Sequence, residues 1–280
     1  MSSRILSKSL YVAGTVADAC RRRRSDRSSD AYQARFPSVT ASLDVKDLRK
    51  SRTQAGSRFD LVVERFFSRP GEITAVVGES GSGKSTLLDI LSLIMRPDSV
   101  ATFHLERRGG DFIDVADLWA RRDERALLRC RREDIGYILQ QGGLLPYLSV
   151  RDNILLPCAI LGRRLCNEDV AEWASRLGIT ECLHRKPRHI SGGQRQRAAL
   201  LRALLHSPTI VLADEPTAAL DRERGREVIG GLQEACRSLN LSAVLVTHDI
   251  ELVERYSASR WRFVPERVGS DFIRSHLVAD

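Results

Sequence analysis

The sequence contains no apolar run approaching the ~18–20 residues that a membrane-spanning helix requires. Its longest candidates, such as residues 154–161, fall far short. The expectation is a soluble chain whose membrane role, if it has one, comes through a partner. Cysteine is sparse and unpatterned. Cys20, Cys130, Cys158, Cys166, Cys182 and Cys236 show no CxxC spacing. That excludes a small disulfide-framed secreted scaffold and points to reduced cytosolic thiols. No internal repeat and no heptad run is visible, which sets aside solenoids and long coiled coils.

What is present suits a globular protein. The chain has 280 residues, 42% of them hydrophobic, enough for a full core in one large or two small domains. The formal charge of +8 is unevenly placed. Residues 1–43 carry eight basic groups, including the run Arg21, Arg22, Arg23 and Arg24, against Asp18, Asp26 and Asp30. The excess is largely a tail, so the high charge does not argue for a nucleic-acid-binding fold. Residues 1–40 are expected to form a basic, disordered N-terminal tail. A targeting peptide, or contact with anionic lipid or nucleic acid, are the other readings of it. The folded domain is expected over 41–280.

The most informative motif is Gly78-Glu79-Ser80-Gly81-Ser82-Gly83-Lys84-Ser85, of the form GxxxxGK[ST]. Residues 73–77 before it read as a buried strand, and Thr86 with the residues after it opens an amphipathic helix. Strand, glycine loop and helix together make a phosphate site. The glycines let consecutive N–H groups converge on phosphate oxygens. Lys84 would reach the β- and γ-phosphates, and the Ser85 hydroxyl would ligate Mg²⁺.

Around that loop the pattern alternates strands and helices. Residues 42–45 and 59–67 alternate as an antiparallel pair. The region 114–132 reads as helical and strongly charged, leading into a strand at 135–139. Residues 150–189 read as mostly helical and predict an inserted helical subdomain at about 145–205. A helix is predicted over 194–205, ended by Ser207-Pro208. Residues 210–213 and 243–246 are short apolar strands suited to central parallel positions, joined by a crossover helix over 223–239.

Four further features carry chemistry. The strand at 210–213 delivers Asp214, a candidate Mg²⁺ ligand, and Glu215, placed to polarise a water in line with a γ-phosphate. Gln140 continues the apolar strand at 135–139, where its amide would meet Mg²⁺ and the attacking water; Gln141 is the less favoured neighbour. His248 follows the strand at 243–246 and suits a hydrogen bond to a γ-phosphate oxygen. Ser191-Gly192-Gly193-Gln194 opens a helix and forms a second anion platform, away from Lys84 in sequence. A γ-phosphate held between two copies of the chain would use both.

Taken in order, GESGSGKS, Gln140, ISGGQRQR, IVLADEPTAALD and VTHD resemble the ATP-binding subunit of ATP-binding cassette (ABC) transporters, over roughly residues 42–265. The text around Gly143-Leu144-Leu145-Pro146, Asn153, Leu156-Pro157 and 212–217 looks most like the lipoprotein-release and macrolide-export branch. The resemblance implies an α/β fold: a P-loop NTPase core, mostly parallel sheet with helices on both faces, an antiparallel β subdomain and the inserted helical subdomain. It implies ATP and Mg²⁺ as cofactors, with residues 78–86 at the phosphates and Ser191, Gly192, Gly193 and Gln194 acting on ATP held by the opposite subunit. Ser85, Gln140 and Asp214 are then the metal side chains, and Glu215, His248 and Gln140 the catalytic ones. It further implies a homodimer, or paired cassette, that drives a separate integral-membrane permease. Its location would be cytoplasmic, on the inner face of the cytoplasmic membrane, with no specific nucleic acid partner. Export or extraction of a lipid, lipoprotein or amphiphile is the branch-level expectation. A regulatory cassette with little turnover, and a soluble ABC-type ATPase acting on nucleic acid, are the alternatives. Two positions depart from the family. Ile190 replaces the usual leucine, and no Tyr or Phe lies between Leu43 and Arg58, where the family places an adenine-stacking aromatic. Arg52, Phe59 or relaxed base selectivity are the open readings there.

Overall fold

A computed structural model of the protein describes residues 41–54, 56–107, 110–163, 167–218 and 220–280. The basic tail expected over 1–40 lies outside the described residues, as do Cys20 and Cys166. The strands are β1 (Leu43–Gln54), β2 (Ser57–Ser68), β3 (Ile73–Val77), β4 (Thr102–Glu106), β5 (Phe112–Asp114), β6 (Ile135–Ile138), β7 (Ile210–Asp214), β8 (Ser242–Thr247), β9 (Ser259–Gly269) and β10 (Phe272–Ala279). The helices are α1 (Lys84–Leu91), α2 (Val115–Arg121), α3 (Glu124–Glu133), α4 (Val150–Ile160), α5 (Asn167–Arg176), α6 (Gly192–Leu204), α7 (Arg222–Leu239) and α8 (Ile250–Tyr256).

All ten strands join one sheet in the order β5-β4-β1-β2-β10-β9-β3-β8-β7-β6. From β9 to β6 every pairing is parallel. At the other end β5, β4, β1 and β2 pair antiparallel. The antiparallel strands therefore continue the core sheet. The long C-terminal hairpin makes the join: β10 lies parallel to β2 and antiparallel to β9. It splices the two parts together.

Both faces of the parallel part are covered, as uninterrupted apolar strands demand. Val211, Ala213, Ala243 and Leu245 point into one core with α4, α5, α6 and α7. Ile210, Leu212, Val244 and Val246 alternate into the other, with α1, α2 and α3. Each wholly buried Val, Leu or Ile contributes about 1.5–3 kcal/mol, so these strands anchor the residues at their C-terminal ends.

The helical region expected over 114–132 consists of two helices. Arg122 takes a left-handed conformation (φ 57°) and caps α2, and Asp123 accepts a hydrogen bond from the Ala126 N–H to start α3. An aspartate in mid-pattern is a stronger N-cap than a helix residue. Between β6 and β7 the described chain holds α4, α5, α6 and two 3₁₀ turns, with no strand.

Close packing fixes the end of β6. A Cβ at Gly136 would lie 2.4 Å from the Ala203 carbonyl oxygen on α6. Gly136→Ala should destabilise the fold by about 1–3 kcal/mol through overpacking. Calorimetry should then read a thermal midpoint lowered by roughly 2–10 °C; an unchanged midpoint would contradict the packing described.

Candidate nucleotide site

The residues at the C-terminal ends of β3, β7 and β8 meet at one cavity of about 1000 Å³. Its walls include Gly78 to Gly81, Gly83 to Thr86, Gln140, Asp214, Glu215 and His248. Segments more than a hundred residues apart are brought together because parallel strands all deliver their ends to the same edge.

The glycine loop turns through left-handed backbone at Gly81 (φ 79°) and Gly83 (φ 107°). Gly83 caps α1 without a side-chain hydrogen bond, leaving the first N–H groups of the helix free for a ligand. Lys84 is nearly buried, and its Nζ donates to the carbonyls of Gly78 (2.8 Å) and Glu79 (2.7 Å). The loop thus folds around its own lysine. Ser82 Oγ is buried without a hydrogen-bond partner, an additional unsatisfied polar group beside the loop. Of α1's residues only Ser85 is exposed, so the helix is more deeply buried than an amphipathic pattern suggests.

Asp214 ends β7 and Glu215 follows it with left-handed backbone (φ 41°). That strained turn is held by the Glu215 N–H donating to the Val246 carbonyl (2.9 Å). Burial first, then the Glu215 carboxylate, lifts the Asp214 carboxyl above the ordinary aspartate range, while the Lys84 ammonium draws it back. Glu215 Oε2 lies 3.0 Å from His248 Nδ1, with the carboxylate mostly shielded and the imidazole largely exposed. A shielded carboxylate paired with a histidine, beside a lysine in a phosphate loop, is equipped to take a proton from a water.

Gln140 lines the same cavity, but it does not end the strand. β6 stops at Ile138, and Gln140 lies two residues beyond in an exposed turn. Its position comes from α6: Gln196 Nε2 donates to the Gln140 carbonyl (2.5 Å), and Arg202 donates to the carbonyls of Gly142 (2.8 Å) and Gly143 (2.7 Å). Further along, buried Asn153 accepts from the Leu145 N–H (2.6 Å) and donates to its carbonyl (3.0 Å). The loop between β6 and α4 is therefore clamped by side chains of two helices.

Ser191, Gly192, Gly193 and Gln194 do not join the cavity wall. They start α6 with a capping box: Ser191 Oγ accepts from the Gln194 N–H (3.2 Å), and Gln194 Oε1 accepts from the Ser191 N–H (2.9 Å). Ile190 is buried in the core beside them, so its change from leucine is a packing matter. Sequence reasoning missed the part of the wall that comes from the C-terminal hairpin. Arg267, Ser270, Asp271 and Ile273, from the β9–β10 hairpin, line the same cavity, as do Ser57, Arg58 and Phe59. No motif marks the hairpin; its alternating pattern was the available signal.

The chain matches the family described as ABC transporter over residues 65–218. It is 38% identical over 209 residues to the ABC transporter ATP-binding protein YxdL of Bacillus subtilis, covering 74% of this chain and 77% of that one. It is 39% identical to the bacitracin export ATP-binding protein BceA of Halalkalibacterium halodurans, covering 64% and 68%. The macrolide export ATP-binding/permease protein MacB of Bordetella avium is 40% identical over 73% of this chain, which spans only 30% of that longer protein. Among solved structures, the ATP-binding cassette MJ0796, in a dimeric post-hydrolysis state bound to ADP and Pi, superposes with a TM-score of 0.66 at 31% identity, covering 79% of this chain and 93% of that one. The phosphate loop, the carboxylates at the end of β7 and these likenesses lead to one conclusion: the chain belongs to the ABC transporter family as an ATP-binding cassette, an ATPase built on the P-loop NTPase fold.

Proposed function

We propose that two copies of this chain close around two ATP molecules and so drive a separate membrane permease. The observation that carries this reading is spatial. Lys84, Gln140, Asp214, Glu215 and His248 share one cavity, whereas the Ser191 end of α6 lies outside it. A single chain thus presents a phosphate cradle and, elsewhere, a helix start with a serine and two glycines. A second copy would supply that helix start to the first copy's terminal phosphate. The dimeric state of the related cassette MJ0796 supports the arrangement.

In this reading Lys84 and the N–H groups of residues 78–86 hold the phosphates. Glu215 takes the proton of the attacking water, and His248, against Glu215, orients it and bonds the γ-phosphate. Ser85, Gln140 and Asp214 offer oxygen donors in one cavity, a set that fits Mg²⁺. Among the described residues no group of three or more His, Cys, Asp or Glu side chains is arranged to hold a metal. The ion would therefore be shared with the substrate phosphates, where it would offset their negative charge. Because α6 grips the carbonyls of Gln140, Gly142 and Gly143, movement of the Ser191 helix start carries the loop at 140–149 with it. That loop is our candidate for passing the motion to the permease.

Among the described residues no helix is long and apolar enough to cross a membrane. We place the chain on the cytoplasmic face, held there by the permease. The relatives named for bacitracin export and macrolide export support export as the direction, and we assign a lipid, lipoprotein or comparable amphiphile as cargo. Mixing two inactive variants tests the shared sites. Lys84→Ala and Ser191→Arg should each abolish turnover alone. Their heterodimers keep one intact site, so an equal mixture should recover up to about one quarter of wild-type turnover if sites act independently. A mixture as inactive as its components would refute shared sites.

A further inference from the structure

Just before the Ser191 helix start, five of six consecutive residues are basic: His184, Arg185, Lys186, Arg188 and His189. All five are exposed, whereas the residue that interrupts them, Pro187, is buried. Cys182 and Leu183 before the segment and Ile190 after it are buried as well. Apolar anchors at both ends and in the middle hold the backbone down, so the basic side chains all stand outward. Hydrogen bonds complete the frame. The Arg185 carbonyl accepts from the Val150 N–H (2.8 Å), and the Leu183 carbonyl accepts from the Arg151 N–H (2.9 Å). Those two N–H groups open α4 and have no partner within their own helix. The basic segment is therefore seated on the start of α4, directly after the loop at 140–149.

What this segment lacks is acid. Arginines on the surfaces of other helices are paired: Arg121 with Asp117 on α2, Arg176 with Glu172 on α5, and Arg226 of α7 with Glu251 of α8. Among the described residues Arg185, Lys186 and Arg188 form no ion pair, and the Arg188 Nε donates to its neighbour, His189 Nε2 (2.9 Å). Glu181, the nearest carboxylate in sequence, meets the Gln194 amide (3.4 Å). Three fixed cations within four residues repel one another, and an anionic surface laid against them relieves that repulsion.

We propose that residues 184–189 form a docking strip for the anionic phospholipid headgroups of the membrane. The proposal rests on the loop at 140–149 meeting a membrane permease, which turns the neighbouring strip toward the same bilayer. Guanidinium and ammonium heads spread along an exposed segment suit a surface that presents many phosphates side by side. The strip adds charge attraction to the membrane next to whatever grip the permease provides.

Sedimentation of the full chain with lipid vesicles, without ATP or permease, tests this. Vesicles of equal parts phosphatidylglycerol and phosphatidylcholine should bind the wild type, and pure phosphatidylcholine should not. Binding should fade as salt is raised. The triple variant Arg185→Gln, Lys186→Gln, Arg188→Gln should bind the anionic vesicles about a hundredfold more weakly. A control triple variant, Arg121→Gln, Arg237→Gln, Arg255→Gln, makes the same charge change on α2, α7 and α8 and should bind like wild type. All six positions are exposed, so folding is not at stake. Residues 21–24 stay basic in both variants, so a difference between them reports where the charge sits. Equal losses in the two variants, or no binding by the wild type, would overturn the assignment. Undiminished vesicle binding in the first variant would overturn it too, and lost assembly with the permease in that variant would then assign the strip to an acidic protein partner. None of these outcomes bears on the shared ATP sites, which the mixed-variant assay tests separately.

Discussion

Replacing Glu215 with glutamine should lower ATP turnover by about 10²–10⁴-fold, the range a positioned general base contributes. Glutamine keeps the size and the left-handed turn's single hydrogen bond to Val246, since that bond uses the backbone N–H. It loses the carboxylate that sits 3.0 Å from His248 Nδ1 and, with it, the capacity to accept a proton from water. It also removes the charge that lifts the Asp214 carboxyl, so phosphate binding should not suffer. ATP should therefore bind but persist, and an ATP-dependent dimer should accumulate. Phosphate release and sedimentation of the same sample measure both consequences. Wild-type turnover in this variant would move the base elsewhere in the cavity.

Lys84→Ala should act on binding. The ammonium holds the carbonyls of Gly78 and Glu79 and is nearly sealed from solvent. On ATP binding it would exchange these neutral acceptors for phosphate oxygens. A hydrogen bond to a charged group contributes about 1.5–3 kcal/mol, which corresponds to about 10–150-fold in affinity. The substitution also takes away the positive charge that faces the Asp214 carboxyl, leaving the phosphates' own negative charge less offset. Titration with ATP should register the loss, and the rise in thermal midpoint that ATP gives the wild type should shrink in step. An unchanged dissociation constant would mean that the loop's N–H groups alone hold the phosphates.

How far the site was legible in the sequence differs from residue to residue. Lys84 and Ser85 were readable because a phosphate loop needs its residue types at fixed spacing within one turn. Asp214, Glu215 and His248 were readable as strand-end residues, and β7 and β8 lie centrally, as uniformly apolar strands should. Gln140 lines the cavity, but the strand before it was read one residue too long, since Leu139 extends the apolar run while standing 46% exposed. The split between α2 and α3 was missed because a charged helix with one aspartate has the same periodicity as two short helices. The β9–β10 hairpin escaped as a site element for a related reason. Its residues carry no motif, and their place beside the phosphate loop depends on β10 pairing with β2, more than two hundred residues earlier in the chain.

The sequence by itself determined the chemistry of phosphate binding, because glycine, lysine, serine and carboxylate act through local backbone form and through the ends of short apolar strands. Only the tertiary structure decided which of these groups share a cavity, that the Ser191 helix start stands apart from it, and that the β9–β10 hairpin joins its wall. Register between strands distant in sequence sets those relations, and it is settled by the packing of the whole sheet rather than by any short stretch of residues.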